Sequence, residues 1–325
     1  MSAPTISYRA AVPMALAAAM SEDESVIVLG EDVGAAGGVF KTTLGLFEQY
    51  GPARVRDTPI SEQAFVGAAL GAALTGLRPV VEVMFADFAG VCFDQIANQL
   101  AKYRFMSGGQ FTVPVTVRLA NGAGGGFAAQ HSQAVENWFL NIPGLKIAVP
   151  STVADAYGLL LSAIRDDNPV LVFEHKNLFG LKGGPPSQAV PLGSAAVIRA
   201  GSELTLVASQ VMRHRATAVA QRLANEGVDI EVIDPRTLVP FDDATVLASL
   251  RKTSRLLVAQ EGPADGSWGA SLISRMVTTA FDALDAPPVL ISSPATPVPY
   301  ARPLEAAWVP SEERLADACR ELVKY

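Results

Sequence analysis

Histidine and cysteine are scarce in this chain of 325 residues, which contains three histidines and two cysteines. The histidines are His131, His175 and His214, too few to suggest a metal site built from several histidines. The cysteines, Cys92 and Cys319, form no CxxC pattern. This favours buried thiols in a reducing cytoplasm over a disulfide or a metal site.

Long apolar runs and clusters of positive charge are also lacking. The longest apolar run, residues 64–77, is short of the ~20 residues needed to cross a bilayer. The N-terminal residues 1–6 do not have the basic-then-apolar order of a signal peptide. The 25 basic and 32 acidic residues give a net charge of −7 without a basic cluster. We therefore expect a cytoplasmic protein that binds neither nucleic acid nor membrane.

Short β-rich apolar runs alternate with alanine-rich stretches along the chain. Half of the residues are hydrophobic, so a large core can be buried. Near-continuous apolar strands suit a parallel sheet that is covered on both faces, and the alternation predicts an α/β fold. The predicted strands of the first part are Val26–Gly30, Pro79–Val83, Val113–Leu119, Lys146–Val149 and Val170–Glu174. Its predicted helices are Ala11–Met20, Glu62–Gly76, Cys92–Met106 and Ala154–Ile164.

A segment rich in glycine and proline, residues 179–191, interrupts this pattern and is typical of a linker. The pattern then resumes in a second, smaller α/β domain. We therefore expect a first domain at 1–180, a linker at 181–199 and a second domain at 200–325. The strands predicted there are Leu204–Ala208, Ile230–Asp234, Arg255–Gln260 and Val289–Ser292, with helices at Arg213–Glu226 and Trp268–Phe281.

The segment Asp57-Thr-Pro-Ile-Ser-Glu62 places one carboxylate at the start of an unusually apolar helix. Glu62 is either an ordinary acidic residue of a first turn, where the helix dipole favours it, or a proton-handling group in a dry pocket. The helix also carries small residues, such as Gly67 and Gly71, that permit close approach of another backbone. They favour packing against the chain's own sheet and a subunit interface about equally.

A series of motifs resembles one family almost from end to end: the β subunit of the thiamine-diphosphate-dependent decarboxylating component of 2-oxo acid dehydrogenase complexes. Eleven motifs occur in order, and together they are highly specific. In the first part they are Gly30-Glu-Asp-Val-Gly34, Gly37-Gly-Val-Phe-Lys41, Asp57-Thr-Pro-Ile-Ser-Glu62, Phe85-Ala-Asp-Phe88, Phe93-Asp-Gln-Ile96, His131-Ser-Gln133, Ile142-Pro-Gly-Leu145 and Ala163-Ile-Arg-Asp-Asp-Asn-Pro169. The later ones are Phe173-Glu-His-Lys176, Val232-Ile-Asp-Pro-Arg-Thr-Leu238 and Pro297-Val-Pro-Tyr300. The resemblance implies a pyrimidine-binding parallel-sheet domain followed by a transketolase-C-terminal-like α/β domain.

The resemblance also implies residue roles at a thiamine diphosphate site. Glu62 matches the carboxyl group that exchanges a proton with the cofactor's aminopyrimidine ring. Phe88 matches an aromatic residue that stacks on this ring, and Ile60 matches a position whose backbone lies near it. Glu31 matches a member of an acidic network close to the cofactor. His131 matches a histidine that serves the decarboxylation product or its transfer to a lipoyl group.

Simpler interpretations stay open for three of these residues. Phe85 and Phe88 have the spacing of helix core residues. Glu31 suits a solvated acid, although ligand contacts of α/β sheets lie at strand ends. His131 follows a glycine-rich loop, residues 121–130, that can move, and it also suits a surface histidine.

The turn at Asn168-Pro169 ends a helix, because a residue before proline disfavours helical geometry. By resemblance the same turn binds a monovalent cation such as potassium through oxygen atoms, which suit a hard ion. The implied ligands are Val115, Ala163, Ile164, Asp166 and Asn168, and the implied role is structural.

The chain lacks the Gly-Asp-Gly motif with which thiamine-diphosphate enzymes bind the Mg²⁺ of the diphosphate. A charged diphosphate without its metal binds poorly. We therefore expect this chain to hold the pyrimidine half of the cofactor, and an α subunit to supply the Mg²⁺ and the diphosphate half in a heterotetramer of two α and two β chains. The resemblance adds a lipoyl-bearing acyltransferase core as a further partner.

The predicted function is therefore decarboxylation of a small, pyruvate-like 2-oxo acid with transfer of the acyl group to a lipoyl domain. Acetoin and branched-chain 2-oxo acids are alternative substrates, and a non-catalytic docking subunit is a different class of function. A nicotinamide-dependent oxidoreductase fails because Phe127 stands where the third glycine of GxGxxG would fall. A self-sufficient transketolase-like enzyme fails because the metal motif is missing.

Overall fold

The computed structural model describes residues 5–325, so Met1–Pro4, part of the argument against a signal peptide, lie outside the described residues. The chain divides into two compact units. The N-terminal unit comprises the described residues up to Asn121 and Trp138–Leu192. The C-terminal unit comprises Gly122–Asn137 and Gly193–Tyr325, so the segment that carries His131 groups with the later residues.

The N-terminal unit is an α/β domain. Its strands are β1 (Ile6–Ser7), β2 (Val26–Gly30), β3 (Val55–Asp57), β4 (Arg78–Val83), β5 (Thr116–Asn121), β6 (Lys146–Ala148), β7 (Val170–His175) and β8 (Lys182–Gly183). Its α-helices are α1 (Tyr8–Glu22), α2 (Leu46–Tyr50), α3 (Glu62–Leu74), α4 (Ala101–Met106) and α5 (Val153–Arg165). Shorter 3₁₀ or π-helical stretches cover Ala86–Gly90, Gln95–Leu100 and Lys176–Leu178.

The main sheet of this unit has the strand order β6-β7-β5-β4-β2-β3, and every pair in it is parallel. Strands β2, β5 and β7 are buried along their whole length, as expected for a parallel sheet that is covered on both faces. Side-chain caps begin two of the helices: the hydroxyl of Ser7 accepts a hydrogen bond from the N–H of Ala10, and that of Thr152 accepts one from Asp155.

The C-terminal unit is a second α/β domain with its own sheet. Its strands are β9 (Ala196–Arg199), β10 (Leu204–Ala208), β11 (Ile230–Asp234), β12 (Thr237–Val239), β13 (Leu256–Ala259) and β14 (Val289–Ile291). Its helices are α6 (Gln210–Ala224), α7 (Asp243–Thr253), α8 (Trp268–Ala280), α9 (Arg302–Trp308) and α10 (Glu312–Leu322). The sheet order is β14-β13-β10-β11-β9, parallel except for the antiparallel edge strand β9.

The predicted α/β architecture with parallel sheets is confirmed, and β2, β10 and β11 have the bounds expected from the sequence. The predicted helix at Cys92–Met106 is confirmed as continuous helix from Phe93 to Met106, of which Gln95–Leu100 are π-helical. Within the glycine- and proline-rich segment, β8 pairs with β1. Strand β3 was not predicted, because Val55 alone of its three residues is buried.

Both cysteines are free and fully buried, which confirms the expectation of buried thiols. Burial raises the pKa of each thiol to about 12. Among residues 5–325, no helix is both long enough and apolar enough to cross a bilayer.

A buried charge cluster joins three neighbouring strands of the N-terminal sheet. Arg118 of β5 donates two hydrogen bonds to Glu174 of β7, at 2.7 and 2.8 Å, and one to Glu82 of β4, at 2.5 Å. The hydroxyl of Thr42 donates a further bond to Glu82. Burial alone would lower the pKa of Arg118, but the two carboxylates raise it above its ordinary value. Arg118 is therefore a permanent cation that neutralises buried acids on both sides.

Replacing Arg118 by Leu is expected to reduce the free energy of unfolding by about 3–5 kcal/mol, because two buried carboxylates lose their cation. Denaturant unfolding of the purified chain measures this change. The matched control is Arg222→Leu, which removes an exposed ion pair with Glu313 and should cost less than about 1 kcal/mol. Equal losses for the two variants would contradict the role given to Arg118.

Candidate active site

Two acidic side chains come together where neighbouring parallel strands end. Glu31 directly follows β2, and Glu62 is the first residue of α3, shortly after β3. Strands β2 and β3 pair in parallel, with Gly30 opposite Asp57, so both segments leave the sheet at the same edge. Each glutamate is only 7% exposed. Glu31 is therefore not a solvated acid, and Glu62 is not an exposed first-turn residue.

The two carboxyl groups influence each other electrostatically. Burial raises the pKa of Glu31 above its ordinary value, and the charges of Glu62 and Asp32 raise it further. The Oε1 atom of Glu31 is buried and has no hydrogen-bond partner among the described residues. A buried carboxyl oxygen without a partner is costly unless it is protonated or meets a ligand. The pair therefore suits the binding of a group that exchanges protons.

The loop that carries Glu31 is fixed by the end of β3. The carboxylate of Asp57 accepts a hydrogen bond from the N–H of Gly34 at 2.7 Å, and the N–H of Thr58 donates to the carbonyl of Gly30 at 2.9 Å. Asp32 has a left-handed backbone with a φ of 56°, a conformation that costs free energy and is frequent near functional sites. These contacts hold Glu31 in place.

Phe88 lies in the 3₁₀ stretch Ala86–Gly90, after β4. It is half-buried, so it is not simply a core residue. Its ring meets that of Phe85 edge to face, with centroids 6.1 Å apart, and Phe85 meets Phe40 in the same way at 5.4 Å. Edge-to-face contacts fix the orientation of each ring. Phe88 therefore presents an aromatic surface whose orientation is set by a row of rings behind it.

Cys92 links Phe88 to the acidic pair, and sequence reasoning did not place it there. Its thiol donates a hydrogen bond to the carbonyl of Phe88 at a sulfur–oxygen distance of 3.7 Å. Its pKa is raised by burial and, in addition, by the charge of Glu62. Glu62, Cys92 and Phe88 therefore belong to one neighbourhood. The sequence carried no signal for this contact, since a lone cysteine in an apolar segment is typical of any core.

Ile60 lies on the outside of this neighbourhood with 85% of its surface exposed. The helix that follows it has one buried face, formed by Phe65, Val66, Ala69, Leu70 and Ala73. Ala64, Ala68 and Gly71 lie on its exposed face, and a Cβ atom added at Gly71 would meet no atom within 4 Å. Packing against the chain's own sheet therefore does not use these three small residues.

His131 lies in the C-terminal unit and is half-buried. The glycine-rich loop before it has a defined backbone, with left-handed φ values of 86° at Gly122, 102° at Gly124 and 72° at Gly126. Glycine adopts such values without strain, which explains its frequency here. The N–H of Gly122 donates to the carbonyl of Gln133 at 3.1 Å and closes the base of the loop.

The proposed cation turn is held by donors of the protein itself. The carboxylate of Asp166 accepts hydrogen bonds from Lys146 and Asn168. Burial would raise the pKa of Asp166, but these hydrogen bonds lower it below its ordinary value. Arg78 donates to the carbonyls of Ile164 and Asp166, each at 3.2 Å. The carbonyl of Val115 accepts from the N–H of Val170, and the carbonyl of Ala163 accepts from the N–H of Asp166. The side-chain oxygen of Asn168 accepts from Arg104.

These side-chain cations supply the positive charge that an ion at the turn would bring. Each of the five residues implied as potassium ligands thus accepts a hydrogen bond within the chain, and the potassium site stays a prediction. Among residues 5–325, no three His, Cys, Asp or Glu side chains are grouped so that they could hold a metal ion.

Comparison with known proteins identifies the class of these two domains. Residues 4–182 match the family "Transketolase, pyrimidine binding domain", and residues 193–315 match "Transketolase, C-terminal domain". A solved structure of a split-gene transketolase, an inactive β4 tetramer, has a TM-score of 0.81 and 23% identity, with 98% of both chains covered. This likeness supports the fold.

Closer relatives define the family. The chain is 45% identical to the β subunit of acetoin:2,6-dichlorophenolindophenol oxidoreductase from Cupriavidus necator over 98% of both chains. It is 43% identical to the pyruvate dehydrogenase E1 component subunit β of Rickettsia conorii, with 98% of this chain and 99% of the relative covered. The chain therefore belongs to the family of dehydrogenase β subunits that these relatives represent, as its motifs predicted.

The raised pKa of Glu31 predicts a pH-dependent stability difference. The folded chain binds the carboxyl proton of Glu31 more tightly than the unfolded chain does. Glu31 therefore reduces the free energy of unfolding as the pH rises above 4.5, the ordinary pKa of a glutamate. A Glu31→Gln variant is expected to unfold at higher denaturant concentration than the wild type at neutral pH, and the difference should shrink toward pH 4.5. Denaturant titrations across this pH range measure it. Glu24→Gln, at an exposed position, is the control, and an equal effect there would contradict the prediction.

Proposed function

We propose that this chain is the β subunit of a thiamine-diphosphate-dependent dehydrogenase that acts on a small 2-oxo acid or on acetoin, and that it binds the aminopyrimidine end of the cofactor. The observation that carries the proposal is the buried pair of Glu31 and Glu62 at the ends of β2 and β3, with a carboxyl oxygen of Glu31 that has no hydrogen-bond partner within residues 5–325. Membership of the family to which acetoin and pyruvate dehydrogenase β subunits belong supports it.

The residues present fit the aminopyrimidine. Thiamine diphosphate, when bound, supplies the electron sink for cleavage of the bond next to the substrate carbonyl. Glu62 holds and exchanges the proton of the ring nitrogen, because it is a buried carboxyl group whose neighbour Glu31 already carries a raised pKa. Phe88 would orient the ring by stacking, and the backbone at Ile60 would contribute to its binding. Because Glu62 is only 7% exposed, water has little access to this proton transfer.

A partner chain completes the site in this proposal. The sequence lacks the Gly-Asp-Gly motif for Mg²⁺, so an α subunit holds the metal and the diphosphate in a heterotetramer of two α and two β chains. Exposed apolar side chains support a partner: Ile60 is 85% exposed, and Phe105 and Met106, at the end of α4, are 88% and 63% exposed. Apolar surface of this kind favours burial against another chain.

The overall reaction also needs an acceptor. For a 2-oxo acid, the carboxyl group leaves as carbon dioxide, and the acyl group and two electrons pass to a lipoyl disulfide, which becomes an acylated thiol and a free thiol. His131 assists this transfer, because an imidazole can donate and accept protons near neutral pH. The lipoyl group belongs to an acyltransferase core of the same complex.

Two alternatives differ in substrate or in class. Acetoin-type and pyruvate-type relatives are 45% and 43% identical to the chain, a difference too small to favour either substrate. A docking subunit without catalysis does not need a buried pair of acids. Such a pair lowers the free energy of unfolding above pH 4.5, because the pKa of Glu31 is raised in the folded chain. The paired carboxyl groups therefore favour the catalytic function.

The first experiment measures turnover of pyruvate, branched-chain 2-oxo acids and acetoin by this chain alone and together with an α subunit, with thiamine diphosphate and Mg²⁺ present. We expect activity only in the mixture. Release of carbon dioxide distinguishes a 2-oxo acid from acetoin, which has no carboxyl group. Activity of the isolated chain would contradict the shared site, and binding to an acyltransferase core without turnover in any mixture would favour the docking subunit.

Replacing Glu62 by Gln should reduce turnover of the assembled enzyme by about 10²- to 10⁴-fold, because the amide cannot exchange the proton. Assembly with the α subunit should be retained, since the side chain keeps its shape. Glu48→Gln, an exposed carboxyl group in the first turn of α2, is the matched control and should keep full activity. Unchanged turnover of Glu62→Gln would rule out the proposed proton transfer.

A further inference from the structure

The loop before His131 is held by two buried carboxylates from later parts of the C-terminal unit. Glu305, in α9, accepts hydrogen bonds from the N–H of Gly124 at 2.7 Å and from the N–H of Gly126 at 3.0 and 3.2 Å. Glu261, which follows β13, accepts one from the N–H of Ala123 at 2.6 Å. These glutamates are 2% and 6% exposed. The loop therefore does not depend on its own contacts alone.

The left-handed backbone of Gly124 and Gly126 explains the geometry of this contact. Their φ values of 102° and 72° turn the two N–H groups toward a single carboxylate. Successive N–H groups that converge in this way form a concave site for an anion. Charge-assisted hydrogen bonds of this type are stronger than bonds between neutral groups. Glu305 thus selects one backbone conformation of a glycine-rich segment that has many.

The helix that carries Glu305 is itself fixed. The indole N–H of Trp308 donates to the carbonyl of Thr296 at 3.0 Å, and Trp308 is 5% exposed. Arg215 of α6 donates to the carbonyls of Val309 and Pro310, just beyond the end of α9. The hydrogen bonds of Glu305 therefore attach the loop to α9, a helix that is itself anchored.

The far end of the same segment is also held. Asn137 accepts a hydrogen bond from the N–H of Trp268, the first residue of α8, at 3.0 Å. His131 therefore lies between two anchored points, the carboxylates at residues 123–126 and the helix start at Asn137. This arrangement anchors the segment that carries the imidazole on both sides of His131.

We infer that Glu305, supported by Glu261, is a positioning residue for His131. It acts through the backbone of Gly124 and Gly126 and does not itself exchange a proton with substrate. The inference rests on the proposed role of His131 in transfer of the acyl group. The C-terminal unit therefore takes part in the reaction and does not serve docking alone.

The test separates two partial reactions of the assembled enzyme. Substrate oxidation with dichlorophenolindophenol as electron acceptor reports cleavage without the lipoyl group, and acylation of a purified lipoyl domain reports transfer. In Glu305→Gln, an NH₂ group replaces one carboxylate oxygen. Because both oxygens accept from the N–H of Gly126, at least one of these hydrogen bonds is lost. We expect lipoyl acylation to fall by about ten- to hundredfold, while the dye reaction stays within about twofold of the wild type.

Reference variants make each outcome decisive. His131→Gln should lose the same partial reaction to a greater extent, and Glu261→Gln should show a weaker form of the same loss, which keeps the test valid if Glu305→Gln fails to assemble. Glu203→Gln is the matched control, because Glu203 also accepts a backbone hydrogen bond, from Asp229 at 2.6 Å, in a different part of the unit. It should leave both reactions unchanged.

Three results would overturn the inference. If His131→Gln loses acylation while Glu305→Gln and Glu261→Gln keep both reactions, the inference fails and the proposed function stands. If the Glu305 and Glu261 variants lose both reactions equally together with thermal stability, the carboxylates are merely structural. If His131→Gln keeps both reactions, the proposed role of His131 fails, and the inference fails with it.

Discussion

The shared cation at Arg118 is the interaction on which the N-terminal unit depends most. It lies at the centre of the sheet and neutralises Glu82 on one neighbouring strand and Glu174 on the other. A single buried cation between two acids fixes the register of three strands, because slippage by one residue would leave unpaired charge in an apolar interior. The strand ends, and with them the loops that carry Glu31 and Phe88, take their positions from this sheet.

The candidate site combines features that favour function over stability. Two carboxyl groups are buried close together, one of their oxygens has no hydrogen bond in the part of the chain that the structure describes, and Asp32 has a left-handed backbone. Each of these costs free energy in the isolated chain. In the proposed function, a cofactor and a second chain bind beside these residues and the exposed Ile60, and offset these costs.

The C-terminal unit contributes more than a second core. Its own residues Glu261 and Glu305 determine the backbone of the segment that carries His131, although this segment precedes the end of the first domain in sequence. The glycine-rich composition has a structural role here, because left-handed glycines allow several N–H groups to converge on a carboxylate. If His131 acts as proposed, this arrangement orients it before substrate arrives, which reduces the entropic cost of the reaction.

The sequence by itself determined the alternation of strands and helices, since that pattern depends on local apolar periodicity, and its ordered motifs determined the family. It also identified Glu31, Glu62, Phe88 and His131 as residues of interest. The charges inside apolar strands, Val81-Glu-Val83, Val117-Arg-Leu119 and Phe173-Glu-His175, were a readable signal of the buried cluster. Only the tertiary structure decided that Glu31 and Glu62 share one electrostatic environment, that Cys92 joins them, and that Glu305 holds a loop 179 to 181 residues earlier in the chain. These contacts depend on which loops meet in space, and distance along the chain carries no information about that meeting.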